Sequence, residues 1–419
     1  MSNSLLKKCS VGRLNVSRRF LAKQLPLSSG IALMLGAVAS MSAHASLSDT
    51  LFPYAGVTYS YDDNLLRVPD SANNGSGGLS DTYRSAYGGL RLNRPVGQQV
   101  FIADLRVSNV SFNRFEQLNY SGKDFSGAWQ WRLGNHLNGS LGAYYSQSLP
   151  SFSDFHSAQR NLRISHGWHF DLNYRFHPSW QVRAATSRAN AGYDLQAQRF
   201  LDRETDTDTL GFDYLASSGS TVGMQVSSGK THYPNPLAFG GVVRNQDFNQ
   251  DEAKLKVLWK YSPVTQVAFL GGYARRRYDL FVFSNSSGFD GRLVADWSPT
   301  ATVKLTANLW KEYSPFDGNT VTFSHDTGVS LGGNWSAGAR LGFNADARYL
   351  KRDLSGPSGS ALPLDAQDRV RRYSVGSSYT FHDNLSLNLS AYHEVRSSNS
   401  TFSNSYRSNG GSLTANVQF

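Results

Sequence analysis

The residues best suited to chemistry in this chain are its arginines, lysines and carboxylates, and they recur at every second position instead of clustering. Lys254, Lys256 and Lys260 are interleaved with Leu255, Val257, Trp259 and Tyr261; Arg163, His169 and Asp171 with Leu162, Ile164, Trp168, Phe170 and Leu172; Arg340, Asp346 and Arg348 with Leu341, Ala345, Ala347 and Tyr349. A period of two puts every such residue on one face of a strand and the apolar ones on the other. The basic set on that face is Arg91, Arg106, Arg132, Arg163, Arg175, Arg183, Lys254, Lys256, Lys260, Arg276, Arg292, Lys304, Arg340, Arg348 and Arg372. Facing it are Asp104, Asp124, Asp171, Asp213, Glu252, Asp290, Asp296, Glu312, Asp326, Asp346 and Glu394. Unpaired charges in a dry core are costly, so this face is either hydrated or cross-paired. It reads as the lining of a conduit for a polar cargo, or as a salt-bridged filling.

Two smaller constellations stand outside that set. Arg275, Arg277, Arg369 and Arg371 take the opposite phase near strand ends. Guanidinium forks suit phosphate, so these are candidate lipopolysaccharide contacts, with solvated loop edges as the alternative. Asp202, Glu204, Asp206 and Asp208 place four carboxylates at one strand tip. They are a weak candidate for Ca²⁺, and without the glycine turn of an EF-hand loop a solvated acidic tip is the preferred reading. No metal or cofactor is otherwise expected. Catalysis finds little support: H-E-x-x-H and Walker patterns are absent, His136, His177 and His382 fall in short turns, and His166, His325 and His393 fall on the apolar phase. The chain is not expected to be an enzyme.

The elements that position these residues are long strands. Alternation over ten or more residues exceeds the usual soluble strand and matches the roughly 9 to 11 residues that cross a bilayer at a tilt. Tight turns are predicted at 94–97, 134–136, 177–179, 217–219, 262–264, 298–300, 335–337 and 382–384. Longer polar stretches lie between them, including 66–80, 149–161, 232–250 and 351–368. Short turns on one side and long loops on the other are the pattern of an outer-membrane barrel, with the short turns periplasmic. Eight turns joining sixteen strands, plus terminal strands at 54–63 and 408–419, predict an all-β, transmembrane antiparallel β-barrel of about eighteen strands, sixteen to twenty bracketing the count. Phe176, Trp180, Trp259, Tyr261, Trp297, Trp335, Tyr379 and Phe381 lie beside the short turns as a periplasmic aromatic girdle. Leu413, Ala415, Val417 and the terminal Phe419 resemble the ending through which barrels are recognised by the barrel-assembly machinery.

Composition fits this reading once the N-terminus is set aside. Lys7, Lys8, Arg13, Arg18, Arg19 and Lys23 precede the apolar stretch 31–39, and Ala43-His44-Ala45 supplies small residues for cleavage. Residues 1–45 read as a cleaved signal peptide for the general secretory route, leaving 46–419 as a single barrel domain. Ser17-Arg18-Arg19-Phe20-Leu21 is one residue short of a twin-arginine signal. The leader carries six of the 41 basic residues and none of the 31 acidic ones, so the formal charge falls from +10 to about +4, which removes the ground for a nucleic-acid partner. The single Cys, Cys9, lies in the leader, so disulfides and thiol chemistry are excluded from the remainder. A mean hydropathy of -0.40 reflects strands that are polar on one face.

Several segments resemble EpsL-type outer-membrane proteins, a β-barrel porin family encoded with exopolysaccharide and exosortase systems. They are Tyr61-Asp62-Asp63-Asn64-Leu65-Leu66-Arg67, Arg114-Phe115 followed by Leu118-Asn119-Tyr120-Ser121-Gly122, 129–135 and Arg160-Asn161-Leu162-Arg163. The resemblance covers most of the chain after the leader and is densest in its first half. It implies a role in exporting a polysaccharide across the outer membrane of a Gram-negative bacterium, with periplasmic or inner-membrane secretion components as partners and a part in biofilm formation. It carries over no binding residue. Three classes stay open: a polysaccharide-export channel, a general or substrate-selective diffusion porin, and a plugged structural barrel.

Overall fold

The computed structural model describes residues 50–69, 79–239, 242–244, 246–279, 285–315, 323–355, 366–400 and 403–419. The expected leader and its cleavage point after Ala45 lie outside the described residues. Eighteen strands form one sheet: β1 Leu51–Asp62, β2 Asp81–Val96, β3 Gln99–Phe112, β4 Tyr120–Leu133, β5 Leu137–Ser148, β6 Arg163–His177, β7 Trp180–Tyr193, β8 Arg203–Leu215, β9 Thr221–His232, β10 Phe248–Ser262, β11 Thr265–Tyr278, β12 Ser286–Trp297, β13 Val303–Pro315, β14 Phe323–Ser336, β15 Leu341–Ser355, β16 Gln367–His382, β17 Leu385–Ser398 and β18 Tyr406–Gln418. A two-stranded hairpin, Leu237–Phe239 with Val242–Arg244, stands apart from it.

Each strand pairs antiparallel with the next, and β1 pairs with β18 from Tyr54↔Gln418 to Asp62↔Gly410. That last pairing leaves no free edge, so every strand satisfies its ladder within the sheet, which is what a β-structure needs in hydrocarbon. The eight expected short turns all join neighbouring strands. Gly97, Gly134 and Gly219 take positive φ in three of them (+59°, +60° and +79°), a conformation that costs glycine nothing. Arg340 is a correction: it lies in the turn before β15, its carbonyl accepting from the Thr380 N–H, and not on the strand.

Alternation then sorts the side chains. Outward positions carry exposed Leu105, Val107, Leu210, Met224, Leu331 and Leu389, and the girdle residues Trp259, Trp297, Trp335 and Phe381 stand exposed near the short turns. Trp131 is an exception among the outward-phase aromatics. It lies flat over Gly139, where a Cβ would meet its ring at 2.5 Å, and stacks on Phe170. Strands of 12 to 16 residues overshoot the bilayer requirement, so their long-loop ends project beyond the apolar band. There the outer face is polar too. Stretches such as 351–368 and 232–250, expected as loops, are therefore partly strand: β15 runs to Ser355, β16 begins at Gln367 and β10 at Phe248.

Candidate functional site

The lumen is built from the inward phase of every strand, and an eighteen-strand circumference leaves an aqueous interior unless it is filled. Its charges fall into two kinds. On the wall from β7 to β12 they neutralise one another. Arg183 Nε lies 2.6 Å from Asp213, which also holds Lys256 at 3.3 Å and accepts from Gln181 at 2.8 Å. Lys254 is held between Glu252 at 2.5 Å and Asp290 at 2.6 Å. Lys254 and Lys256 lie on the inward phase of β10, and both are paired with carboxylates. Arg276 is likewise enclosed, donating to Gln250 at 2.8–2.9 Å with the rings of Phe248, Tyr313 and Phe323 around it.

On the wall from β12 to β18, and at β2–β3, guanidinium groups alternate with aromatic rings. The Arg292 and Arg348 guanidiniums lie 5.2 and 5.1 Å from the Trp310 ring centre. Gly328 makes room for that indole, since a Cβ there would meet it at 2.2 Å. Arg372 lies 4.3 Å from the Tyr392 ring, and Arg106 lies 3.9 Å from that of Tyr87. Arg292 and Arg372 also pair with Glu312 and Glu394, at 2.7 and 2.8 Å. Among the described residues, Arg106 and Arg348 pair with no carboxylate, and the Nε of each has no hydrogen-bond partner. Their Nε atoms are covered, but both residues are partly exposed, so the remaining guanidinium N–H groups can meet a passing anion. Arg91 pairs with Asp104 at 3.2 Å, and Arg163 is buried at the long-loop end of β6. Arg132, Arg175 and Lys304 are exposed at the short-turn end, with Lys260 half-buried there.

The mouth is crossed by the connection between β5 and β6. Asp154 in this connection is 2.9 Å from Arg352 on β15 and 3.7 Å from Arg396 on β17. Since β15 is nine strands from β6 in a ring of eighteen, the segment reaches the far wall. Arg396 is fully buried and also binds the fully buried Asp368. Ser153 carbonyl accepts from Arg396 as well. His156 Nδ1 is 3.1 Å from the Leu66 carbonyl, and its ring lies edge-on to Tyr406. Burial, and next the Arg396 charge, lower its pKa from the ordinary value.

Beneath this crossing, Leu65, Leu66, Val110, Phe112 and Leu118 form a buried apolar cluster, with Phe115, Leu149 and Phe152 packed on it. Apolar side chains in three connections thus fold inward to share one small core, which holds the crossing in place. Arg67 ties this core to the closing strands. It has a positive φ (56°), costing about 1–3 kcal/mol. Offsetting contacts are an ion pair with Asp62 at 2.8 Å and a hydrogen bond donated to the Tyr392 hydroxyl at 3.0 Å.

The remaining sequence candidates separate. Arg275, Arg277, Arg369 and Arg371 all lie on the outer face near the long-loop ends, and Arg277 pairs with Asp251 at 2.5 Å. The acidic tip does not form a site. Glu204, Asp206 and Asp208 alternate outward along β8, Asp206 is held by Arg188 at 2.5 Å, and Asp202 accepts from the Tyr193 N–H and Asn235. Burial raises the Asp202 pKa. No group of three or more potential ligands that could hold a metal occurs among the described residues.

No family model and no curated protein matches the chain, so membership of an EpsL-type family is not shown. Solved structures do resemble it. OccK2 (OpdF) of Pseudomonas aeruginosa, determined in complex with glucuronate, is 11% identical with a TM-score of 0.49, covering 88% of this chain and 98% of its own. The outer membrane protein OpdK of Pseudomonas aeruginosa is 12% identical with a TM-score of 0.47, covering 89% and 100%. The alcaligin outer membrane receptor FauA of Bordetella pertussis is 12% identical with a TM-score of 0.41, covering 87% and 76%. The likeness is one of fold alone.

Proposed function

We propose that this chain is an outer-membrane diffusion channel for small polar solutes, biased toward anions, and not an enzyme. The observation that carries the proposal is the connection that spans the mouth and is fixed to the opposite wall through Asp154, Arg352 and Arg396. A barrel open from end to end would suit a polymer. A barrel whose mouth is divided by a latched segment suits solutes small enough to pass beside it. The anion bias follows from Arg106 and Arg348, two luminal guanidiniums that form no ion pair with a described carboxylate and are only partly buried, unlike the enclosed Arg276. Transport is passive, with selectivity from charge and size.

The test is swelling of liposomes carrying the protein. Small neutral sugars and their carboxylate forms are expected to enter, the latter faster at low salt, while long glycan chains are excluded. Equal passage of long glycans would support the export reading, as would retention of polysaccharide in the periplasm after deletion. Unchanged secretion after deletion is the expected result.

A further inference from the structure

The outer wall holds a groove that the channel reading does not use. It is a hollow of about 650 Å³ across β15 to β18, β1 and β2. Its floor is shallow because Ala391, Gly411 and Ser377 are small, and its sides are Val375 and Leu389 on one flank and Tyr61 and Leu413 on the other. All of these take the outward phase. In register they form two adjoining rows, Val375↔Ala391↔Gly411↔Tyr61 and Ser377↔Leu389↔Leu413↔Tyr59. The groove crosses the closing pair of strands and is continuous below with the apolar band.

Directly above it, toward the long loops, the same strands carry a basic patch. Arg371 is four residues from Val375, about 13 Å along the strand. Arg371 and Arg407 flank Val395 in one row, and Lys351 and Arg369 stand opposite one another in the next. Like charges directly opposite destabilise a pair unless an anion lies between them. Two carboxylates are near, and each has its own partner: Asp353 lies 3.1 Å from Lys351, and Asp63 accepts from Asn409. Arg369 and Arg371 are exposed and pair with no described carboxylate. Elsewhere on the outer rim Arg188 and Arg277 are neutralised by Asp206 and Asp251, and the exposed Arg275 has no groove of small residues below it.

We infer that this face binds lipopolysaccharide, with an acyl chain in the groove and a lipid A phosphate on Arg369 and Arg371. The charge complementarity selects the occupant: the patch lies on the long-loop side, where the outer leaflet presents phosphorylated glycolipid, and paired guanidiniums match a phosphate. The inference rests on the outer-membrane placement proposed above.

The experiment uses the full chain without its leader, refolded in detergent free of lipopolysaccharide, with bound lipid counted by native mass spectrometry. The expected result is one lipid A per barrel. The charge-reversed Arg369→Glu/Arg371→Glu protein should bind it roughly tenfold or more weakly, and dephosphorylated lipid A should lose a comparable factor. Ala391→Trp, which fills the groove from the lipid side, should also lose binding. Both variants should keep heat-modifiable barrel mobility and wild-type conductance. Equal lipid A binding by the double variant would overturn the inference. So would phosphatidylglycerol bound as tightly as lipid A, or a dimer lost in Ala391→Trp, which would make the groove an interface between copies. Failure of the outer-membrane channel reading looks different: the wild-type barrel itself would not insert or conduct.

Discussion

Asp154 is the residue on which the mouth turns. Its carboxylate is the counter-charge for Arg352 and lies within reach of Arg396, both deep in the far wall. Hydrogen bonds to charged groups contribute about 1.5–3 kcal/mol each, so a double-mutant cycle of Asp154→Asn with Arg352→Gln should give a coupling energy on that scale for loop opening, read by amide exchange across 149–162. Asp154→Asn alone should raise single-channel conductance. His156 adds a proton dependence. Its pKa is lowered in the latched state by burial and the Arg396 charge, with Asp154 opposing and Arg67 reinforcing. Latching through His156 is therefore complete above the free value of about 6.5. It weakens as pH falls below that value, because the released segment takes up the proton more readily than the latched one. Conductance measured from pH 7.5 down to 5.5 should rise, and His156→Gln should flatten the component of that rise due to this residue. Unchanged pH dependence in that variant would remove His156 from the latch.

At the scale of elements, the strands were legible and the connections were not. Alternation is a two-way sorting of side chains, and it puts Arg106, Arg183, Lys254, Arg292, Arg348 and Arg372 on the phase opposite the exposed apolar residues of their strands. It located the eight short turns for the same reason. It loses contrast where strands rise above the bilayer, which is why the stretch 351–368 reads as loop although Arg352 and Asp368 lie on strands. Nor does a period of two say which inward charges neutralise each other; Lys254 and Lys256 prove paired, while Arg106 and Arg348 do not. The inward fold of the mouth did leave a trace: Leu65, Leu66, Leu118, Phe152 and Phe155 are apolar residues in stretches that would otherwise be solvated. The two faces of one strand give a direct check. An arginine at Leu389, on the outer face of β17, should destabilise the folded barrel by about 2–4 kcal/mol at mid-bilayer depth, falling toward zero near the interface. The same change at the adjacent inward Ser390 should cost much less, both measured by urea unfolding in lipid vesicles.

For the whole molecule, the account is that a closed eighteen-strand wall encloses water, that a segment latched across its mouth limits what enters, and that unpaired luminal arginines set the sign of the charge that passes. The net charge of the chain contributes little to this, since six of the basic residues behind the formal +10 lie in residues 1–45, which carry no acidic residue. Removing residues 150–161 should leave the barrel able to fold, because all eighteen strands keep their partners, and should enlarge its conductance several-fold. The most direct measurement is the reversal potential of the reconstituted protein under a KCl gradient across a planar bilayer. The account predicts discrete channels with a potential displaced toward that of chloride, and displacement toward potassium in Arg106→Glu/Arg348→Glu. Absence of conductance in both the wild type and Asp154→Asn, or a reversal potential unmoved by the double charge reversal, would contradict it.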